Sequence, residues 1–347
     1  MKKTIRNIFI GIGAALLLIL AAVALVFLNE LRSLFSLKQM NVAPFYSMTY
    51  YGDYGFDDFL KQGAHSDADI EKFVTKRLLK GIPIDLGVTG AGCSAFYAHN
   101  EAGDGVYGRN FDFDYAPPLI LHTKPANGYA SVSTVNLAFL GYSEQNLPKE
   151  RTINSFLTLA APYLPFDGMN EKGLTVALLA VPQSYPPNKD GQVMLNTTTA
   201  IRLMLDKAAT VEEAAALLKN YSIYFSGDIQ CHYLVADATG DTAVFEFWDN
   251  ELKVIESPDA YPAATNFVMY NGLNIGEGFT EFDRYNAIQD RLAQSKGVLS
   301  EAEAMHLLEQ VSVPDRTQWS VVYNMKKLSA TIAIRKDYGS LYDYTIQ

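Results

Sequence analysis

The sequence predicts an α+β fold in which stacked antiparallel sheets are covered by helices. Three observations carry this. Strand-like alternating runs come in adjacent groups, and helical patterns come in pairs rather than one between successive strands, as a βαβ chain would have them. Hydrophobic residues make up 49% of the 347-residue chain and charged residues 19%, enough apolar surface for a full core and too much for a disordered or collagen-like chain.

The elements follow in order. Ile8 to Leu28 is 21 residues without a charge, enough for the roughly 20 apolar residues that cross a bilayer. Lys2, Lys3 and Arg6 precede it and would hold the N-terminus in the cytoplasm. Residues 1–29 therefore read as a cytoplasmic stub and membrane anchor. A cleavable signal peptide is the alternative, although Ala22-Val23-Ala24 is followed by the apolar Leu25-Val26-Phe27-Leu28. Either reading puts the rest of the chain outside the cytoplasm, membrane-bound or secreted. Residues 30–92 read as a linker or propeptide. Its first part, rich in Tyr, Phe, Gly and Asp, looks extended and partly ordered. Ser66 to Lys80 reads as a helix, with Ser66 as cap, Ile70, Phe73, Val74 and Leu78 on one face, and Gly81 and Pro83 beyond its end.

Residues 93–347 are long enough for one domain. Strands are predicted at 93–99, 105–113, 119–124, 129–138, 174–181, 233–236, 243–248, 252–255, 320–324 and 330–335. Helices are predicted at 153–163, 197–208, 211–220, 282–295 and 301–311. Thr210 with Glu213, and Ser300 with Glu303, have the spacing of capping boxes.

Charge and cysteine count exclude several functions. With 28 basic and 38 acidic residues the net charge is −10, which offers nucleic-acid phosphates no attracting field. Two cysteines, Cys93 and Cys231, allow at most one bridge. In an oxidising compartment a free thiol needs another reason to exist. The five histidines, His65, His99, His122, His232 and His306, are scattered without metal-ligand spacing, so neither a metal nor an organic cofactor is expected.

The chemistry concentrates after Cys93. The small tripeptide Gly90-Ala91-Gly92 precedes it, and a strand-like run leads on to Gly108-Arg109-Asn110-Phe111-Asp112-Phe113-Asp114. Alternation puts Arg109 and Phe111 on one face and Asn110 and Asp112 on the other, so a bend or bulge is needed for Arg109 and Asp112 to serve one site. A surface strand with a salt bridge is the plainer reading, and the pattern leaves it open.

Cys93-Ser94-Ala95-Phe96 followed by Gly108-Arg109-Asn110-Phe111-Asp112 resembles the choloylglycine hydrolase group of N-terminal-nucleophile hydrolases. That group includes bile salt hydrolases and penicillin V acylases and, more distantly, acid ceramidase, N-acylethanolamine acid amidase and the penicillin acyltransferases. Further motifs follow in family order: Phe166-Asp167-Gly168-Met169-Asn170-Glu171-Lys172-Gly173-Leu174, His232 to Asp237, Ala264-Thr265-Asn266, Asp283-Arg284-Tyr285 and Trp319 to Tyr323. The resemblance spans residues 90 to 335. It implies a four-layer αββα sandwich, a Cys93 nucleophile exposed by autocatalytic cutting of the Gly92–Cys93 bond, and, since members are often multimers, a homo-oligomer. A long leader is a departure from the bile salt hydrolases.

The chemistry suits the residues. An N-terminal nucleophile has its own α-amine beside it, and with a pKa of about 8 that amine accepts the thiol proton near neutrality without a histidine. Gly92 has no side chain to block attack on its carbonyl. By resemblance, Arg109 holds the thiolate anionic, Asp112 orients the new amine, and Asn266 gives its side-chain amide to the oxyanion. Asn170 completes that hole through its backbone N–H, and Arg284 stabilises the site or contacts substrate. One oxyanion donor is worth about 2.7–4 kcal/mol. On the residues alone, both asparagines read as turn residues. Cys231 reads as core, with no disulfide to Cys93.

The expected activity is hydrolysis of a linear N-acyl amide, a small molecule with an apolar acyl group (bile acyl, phenoxyacetyl or fatty acyl), through a Cys93 thioester. Acyl transfer to an amine is one alternative. A non-catalytic surface protein of the same fold, binding a ligand or partner, is another.

Overall fold

The computed structural model describes residues 9–10, 12–13, 25–40, 44–84, 92–256, 261–276 and 280–346. Along the chain come α1 (Leu28–Ser36), β1 (Lys38–Gln39), β2 (Tyr46–Tyr50), α2 (Phe56–Gln62), α3 (Asp67–Arg77), β3 (Gly92–His99), β4 (Gly105–Asp112), β5 (Pro118–Thr123), β6 (Ser131–Asn136), β7 (Pro165–Asn170) and β8 (Thr175–Ala180). Then follow β9 (Met194–Asn196), α4 (Thr197–Lys207), α5 (Val211–Leu218), β10 (Ser222–Tyr224), β11 (Cys231–Ala236), β12 (Thr242–Trp248) and β13 (Glu251–Ile255). The rest are β14 (Ala263–Ala264), β15 (Phe267–Val268), β16 (Ile275–Gly276), α6 (Thr280–Ser295), α7 (Glu301–Gln310), β17 (Thr317–Asn324), β18 (Ser329–Ile334) and β19 (Leu341–Thr345).

Two sheets carry the fold. One has nine strands in the order β1-β2-β5-β6-β7-β8-β11-β12-β13, the other six in the order β14-β3-β4-β17-β18-β19. They meet face to face where β3 packs on β8 and β11; α4 and α5 cover the larger sheet, and α6 and α7 the smaller. Every residue of β4 and of β17 is buried, as expected of central strands covered on both faces. β3 lies beside β4, so Cys93, at its start, sits at the seam between the sheets, opposite Phe111.

The leader is not the extended linker the sequence suggested. β2 joins the large sheet alongside β5 as a parallel strand, with Tyr46 opposite Leu119. It is the exception in that otherwise antiparallel sheet. Phe45, Tyr46, Met48, Tyr50, Tyr54, Phe56 and Phe59 are all buried. Their aromatic density was core packing; only Tyr46–Tyr50 carries a strand alternation, buried at Tyr46, Met48 and Tyr50. Tyr54 also donates to Asp206 at 2.6 Å, closing a buried network in which Arg202 binds Asp206, Thr123, Ser131 and Ser133. α3 runs as expected, its Ser66 cap accepting from the Asp69 N–H.

Smaller departures have local causes. Ile153–Tyr163 is a 3₁₀ rather than an α-helix and contains Pro162, which lacks the N–H an α-helix needs. The strand predicted to reach Ala138 stops at Asn136, whose side chain caps a 3₁₀ turn. Glu213 of the Thr210 box accepts from Ala209 N–H instead of closing on Thr210; the Ser300–Glu303 box is complete. Among the described residues no helix is long and apolar enough to cross a membrane. The apolar run Ile8–Leu28 lies largely outside them.

Candidate active site

Cys93 is fully buried and is a free thiol, as is Cys231. Residues around it approach from two sides of β3. On the inter-sheet side stands Arg109, directly across from Ala95 and hence on the face Cys93 shares. Arg109 is fully buried. Its Nε lies 3.0 Å from Asp167 Oδ2, and its Nη2 donates to Leu178 O at 2.9 Å. The guanidinium lies over the Phe111 and Trp319 rings, 4.8 and 5.8 Å from their centroids, while Nη1 has no hydrogen-bond partner among the described residues. Burial raises the Cys93 thiol pKa above its ordinary value, and the Arg109 charge is the strongest influence opposing that. The Asp112 backbone N–H and Arg284 also favour the thiolate, while the Asp112 charge disfavours it.

On the other side stand Asp112, Asn266 and Arg284. Asp112 pairs with Gly92 in an unbroken β3–β4 register, so Arg109 and Asp112 stay on opposite faces without the expected bulge in their own strand; β17 shifts register between Thr317 and Trp319 opposite Asp112. Thr317 Oγ1 donates to Asp112 Oδ1 at 2.6 Å, and Arg284 Nη1 lies 3.3 Å from Oδ2. Burial raises the Asp112 carboxyl pKa, against the pull of Arg284, Thr317, Arg109 and Arg316. Asn266 Oδ1 accepts from the Cys93 N–H at 2.7 Å and from Arg284 Nη2 at 2.8 Å; its Nδ2 donates to Ala180 O at 2.7 Å. Arg284 Nη1 donates to the Cys93 carbonyl at 2.7 Å. The Cys93 backbone is thus held on both sides, through the N–H of the Gly92–Cys93 peptide and the C=O of the Cys93–Ser94 peptide.

Asn170 is not part of this assembly, and its expected place in the oxyanion hole is corrected. Its backbone N–H donates to Leu174 O at 3.0 Å. Its Nδ2 donates to Leu205 and Ala208 carbonyls, and its Oδ1 accepts from the Lys172 and Leu174 N–H groups. It ties the β7–β8 turn, which needs Gly173 at φ +84, to the end of α4. The site lies by Ala180, at the far end of β8, five residues or about 16 Å along the strand from Thr175. Ala180 O, not Asn170, meets the assembly, accepting from Asn266 Nδ2. Val181 N–H bonds Gln230 O across to β11, so the neighbouring Ala180 N–H and C=O point away from β11, to the Asn266 side.

Sequence reasoning missed Asp167. It accepts from Trp319 Nε1 at 3.0 Å and Tyr323 OH at 2.7 Å while facing Arg109. An isolated carboxylate inside a strand of otherwise uncharged residues was the available signal.

A cavity of about 470 Å³ opens beside the assembly, lined by Gly92, Asp112, Ala180, Asn266, Arg284 and Arg316 among others. Gly92, not Cys93, borders it. A Cβ on Gly92 would meet Asp112 at 3.4 Å and Asn266 at 3.6 Å, ordinary contacts, so packing does not demand the glycine there. A small apolar pocket of about 20 Å³, lined by Phe113, Phe139, Leu164, Phe166 and Leu178 among others, shares Ile229 with the cavity. Asp67 of α3 sits at its edge and accepts from Ser226 Oγ at 2.6 Å and Gly227 N–H at 3.0 Å. Among the described residues no group of His, Cys, Asp or Glu could hold a metal.

Residues 93–301 match the model of the linear amide C-N hydrolases, choloylglycine hydrolase family. The chain belongs to that family. As a choloylglycine-family member it is an enzyme, a hydrolase of linear amide C–N bonds. Its mixed α+β fold is similar to that of a mutant conjugated bile acid hydrolase from Clostridium perfringens, at 17% identity and a TM-score of 0.53, over 73% of this chain and 92% of that one. Penicillin V acylase from Agrobacterium tumefaciens is also similar, at 18% identity over 70% of this chain and 83% of that one, with a TM-score of 0.42. A Caenorhabditis elegans N-acylethanolamine-hydrolyzing acid amidase ortholog follows at 18% identity, over 67% and 93% of the two chains, with a TM-score of 0.40. No curated protein sequence matches the chain.

Proposed function

We propose that this family member is a precursor that cuts itself between Gly92 and Cys93 and then hydrolyses N-acyl amides through a Cys93 thioester. The observation that carries the reading is the hold on the Cys93 backbone in the uncut chain: Asn266 on the N–H of the Gly92–Cys93 peptide and Arg284 on the C=O of the next peptide, each at 2.7 Å. In the first step Sγ adds to the Gly92 carbonyl carbon. The C–N bond to Cys93 then breaks as the nitrogen takes the thiol proton. Water hydrolyses the resulting thioester and leaves a Gly92 carboxylate and a free Cys93 amine.

That amine inherits the place of the peptide N–H, against Asn266 Oδ1. In turnover it accepts the thiol proton, and the thiolate, favoured by Arg109, attacks the substrate carbonyl. Asn266 Nδ2 has two protons and gives one to Ala180 O; the second, with the Ala180 N–H, supports the oxyanion. The ammonium returns its proton to the departing amine. Water, deprotonated by the same amine, then releases the acid.

The polar cavity of about 470 Å³ suits the amine portion; the apolar pocket beyond Ile229 encloses only about 20 Å³ in the uncut chain and must widen to take the acyl group. In the same reading the Ile8–Leu28 segment anchors the leader with the catalytic domain outside the cytoplasm. The test is the intact mass and N-terminal sequence of the purified protein, with Cys93→Ala in parallel. A wild-type chain beginning at Cys93, an uncut variant and release of an apolar acid from N-acyl amides are expected. A folded wild type that stays whole across a range of pH would overturn the reading.

A further inference from the structure

We propose that His232 and Glu246 are positioning residues for Asn266, forming a buried hydrogen-bonded pair that clamps the loop on which Asn266 stands. The proposal rests on the reading that Asn266 serves Cys93. His232 in β11 is fully buried and Glu246 in β12 nearly so. Neither touches the reacting atoms.

The ring bridges Glu246 and the loop. His232 Nδ1 lies 2.8 Å from Glu246 Oε1, and Nε2 lies 2.9 Å from Thr265 O. The Thr265 carbonyl only accepts, so Nε2 donates to it, and the Nδ1–Oε1 bond forms with the proton on either partner. Burial alone would raise the Glu246 carboxyl pKa, but His232 and the Met269 and Tyr270 N–H groups outweigh burial and hold it below its usual value.

The pair grips the loop on both sides of Asn266. His232 holds the carbonyl of Thr265, the residue before it. Glu246 holds the Met269 N–H at 2.9 Å and the Tyr270 N–H at 3.0 Å after it. Thr265 Oγ1 further donates to Glu281 O at 2.8 Å, which ties the same residue to α6, the helix that carries Arg284. Asn266 makes its own bonds to Cys93, Ala180 and Arg284 from a backbone that this pair holds in place. Loss of the His232–Thr265 bond would free the carbonyl next to Asn266 and let its carboxamide leave the Cys93 nitrogen.

The two ring bonds are separable by substitution. In His232→Asn the shorter carboxamide reaches Glu246 and not Thr265; in His232→Gln the longer one reaches Thr265. Processing is read as the fraction of chain beginning at Cys93 against time, and turnover with an N-acyl p-nitroanilide of apolar acyl group. His232→Asn is expected to slow both about tenfold or more, with KM within about twofold of wild type. His232→Gln is expected to keep most of the rate at a similar melting temperature. Equal rates in the two variants would overturn the clamp, as would losses that track melting temperature. If His232→Asn does not fold, Glu246→Gln takes its place: it removes the carboxylate and is expected to lower kcat similarly, and a wild-type kcat would overturn the clamp. A crystal structure of Cys93→Ala with His232→Asn separates this proposal from the proposed activity. Displacement of Thr265 and Asn266 is expected, and an unmoved loop refutes the clamp whatever the enzyme does.

Discussion

Arg109 is asked to do two things, and a double substitution separates them. It stands beside the Cys93 thiol, and it neutralises Asp167 in a fully buried ion pair at 3.0 Å. Arg109→Met alone leaves the Asp167 carboxylate buried with only the Trp319 and Tyr323 donors. Breaking a buried pair by removing one partner costs about 3–5 kcal/mol. At roughly 2–4 °C per kcal/mol for a domain of this size class, the melting temperature should fall by about 6–20 °C. Adding Asp167→Asn removes the stranded charge. The carboxamide oxygen still accepts from one donor, and the Tyr323 hydroxyl can turn to accept from its NH₂. Replacing both partners is close to neutral, so most of the stability should return. Processing and turnover should not return, because the cation that opposes burial of the thiolate is still missing. The assay is a thermal melt of the four proteins of the cycle, with processing timed in each at a temperature where all are folded. A double variant that regains both stability and rate would show Arg109 to be scaffolding only. An Arg109→Met protein as stable as wild type would refute the buried-pair argument itself.

Three further outcomes are expected. Asn266→Ala removes the acceptor for the Cys93 nitrogen and one oxyanion donor; single-turnover kinetics should show a loss of about 10²–10³-fold, and a loss under tenfold would remove Asn266 from the reaction. Because burial raises the Cys93 thiol pKa, the thiolate fraction of the uncut chain increases with pH past the ordinary thiol range. The processing rate should climb accordingly through neutrality, and a plateau below about pH 8 would contradict that. The leader buries several large aromatic side chains, each worth about 1.5–3 kcal/mol, and β2 is hydrogen-bonded into the large sheet. The two fragments should therefore co-elute after processing under native conditions and separate only in denaturant; a catalytic chain that elutes free would refute this.

Much of the catalytic domain was legible because its strands and helices carry their own signals. The Ser300 box, the Ser66 cap and the alternation around Arg109 are local, and they appear where local physics puts them. The leader was not legible, because the only nearby partner of β2 is the two-residue β1, and β2 enters the large sheet by joining β5, which comes much later in the chain. Asn170 misled for a related reason. Its motif marks a tight turn, and a sequence does not say at which end of a hairpin that turn will lie relative to the nucleophile.

What the sequence by itself determined was the reactive vocabulary: a cysteine after a glycine, an arginine and an aspartate on opposite faces of the next strand, and an asparagine and an arginine far downstream. Tertiary structure decided which of them meet. Pairing of β3 with β4 sets Arg109 and Asp112 on the two sides of Cys93, while β14 and α6 bring Asn266 and Arg284 onto its backbone. It also decided that His232, inconspicuous in sequence, holds the loop before Asn266. The physical reason is that side-chain chemistry is local, whereas burial and hydrogen-bond partnership across 173 residues of chain exist only once the sheets have closed.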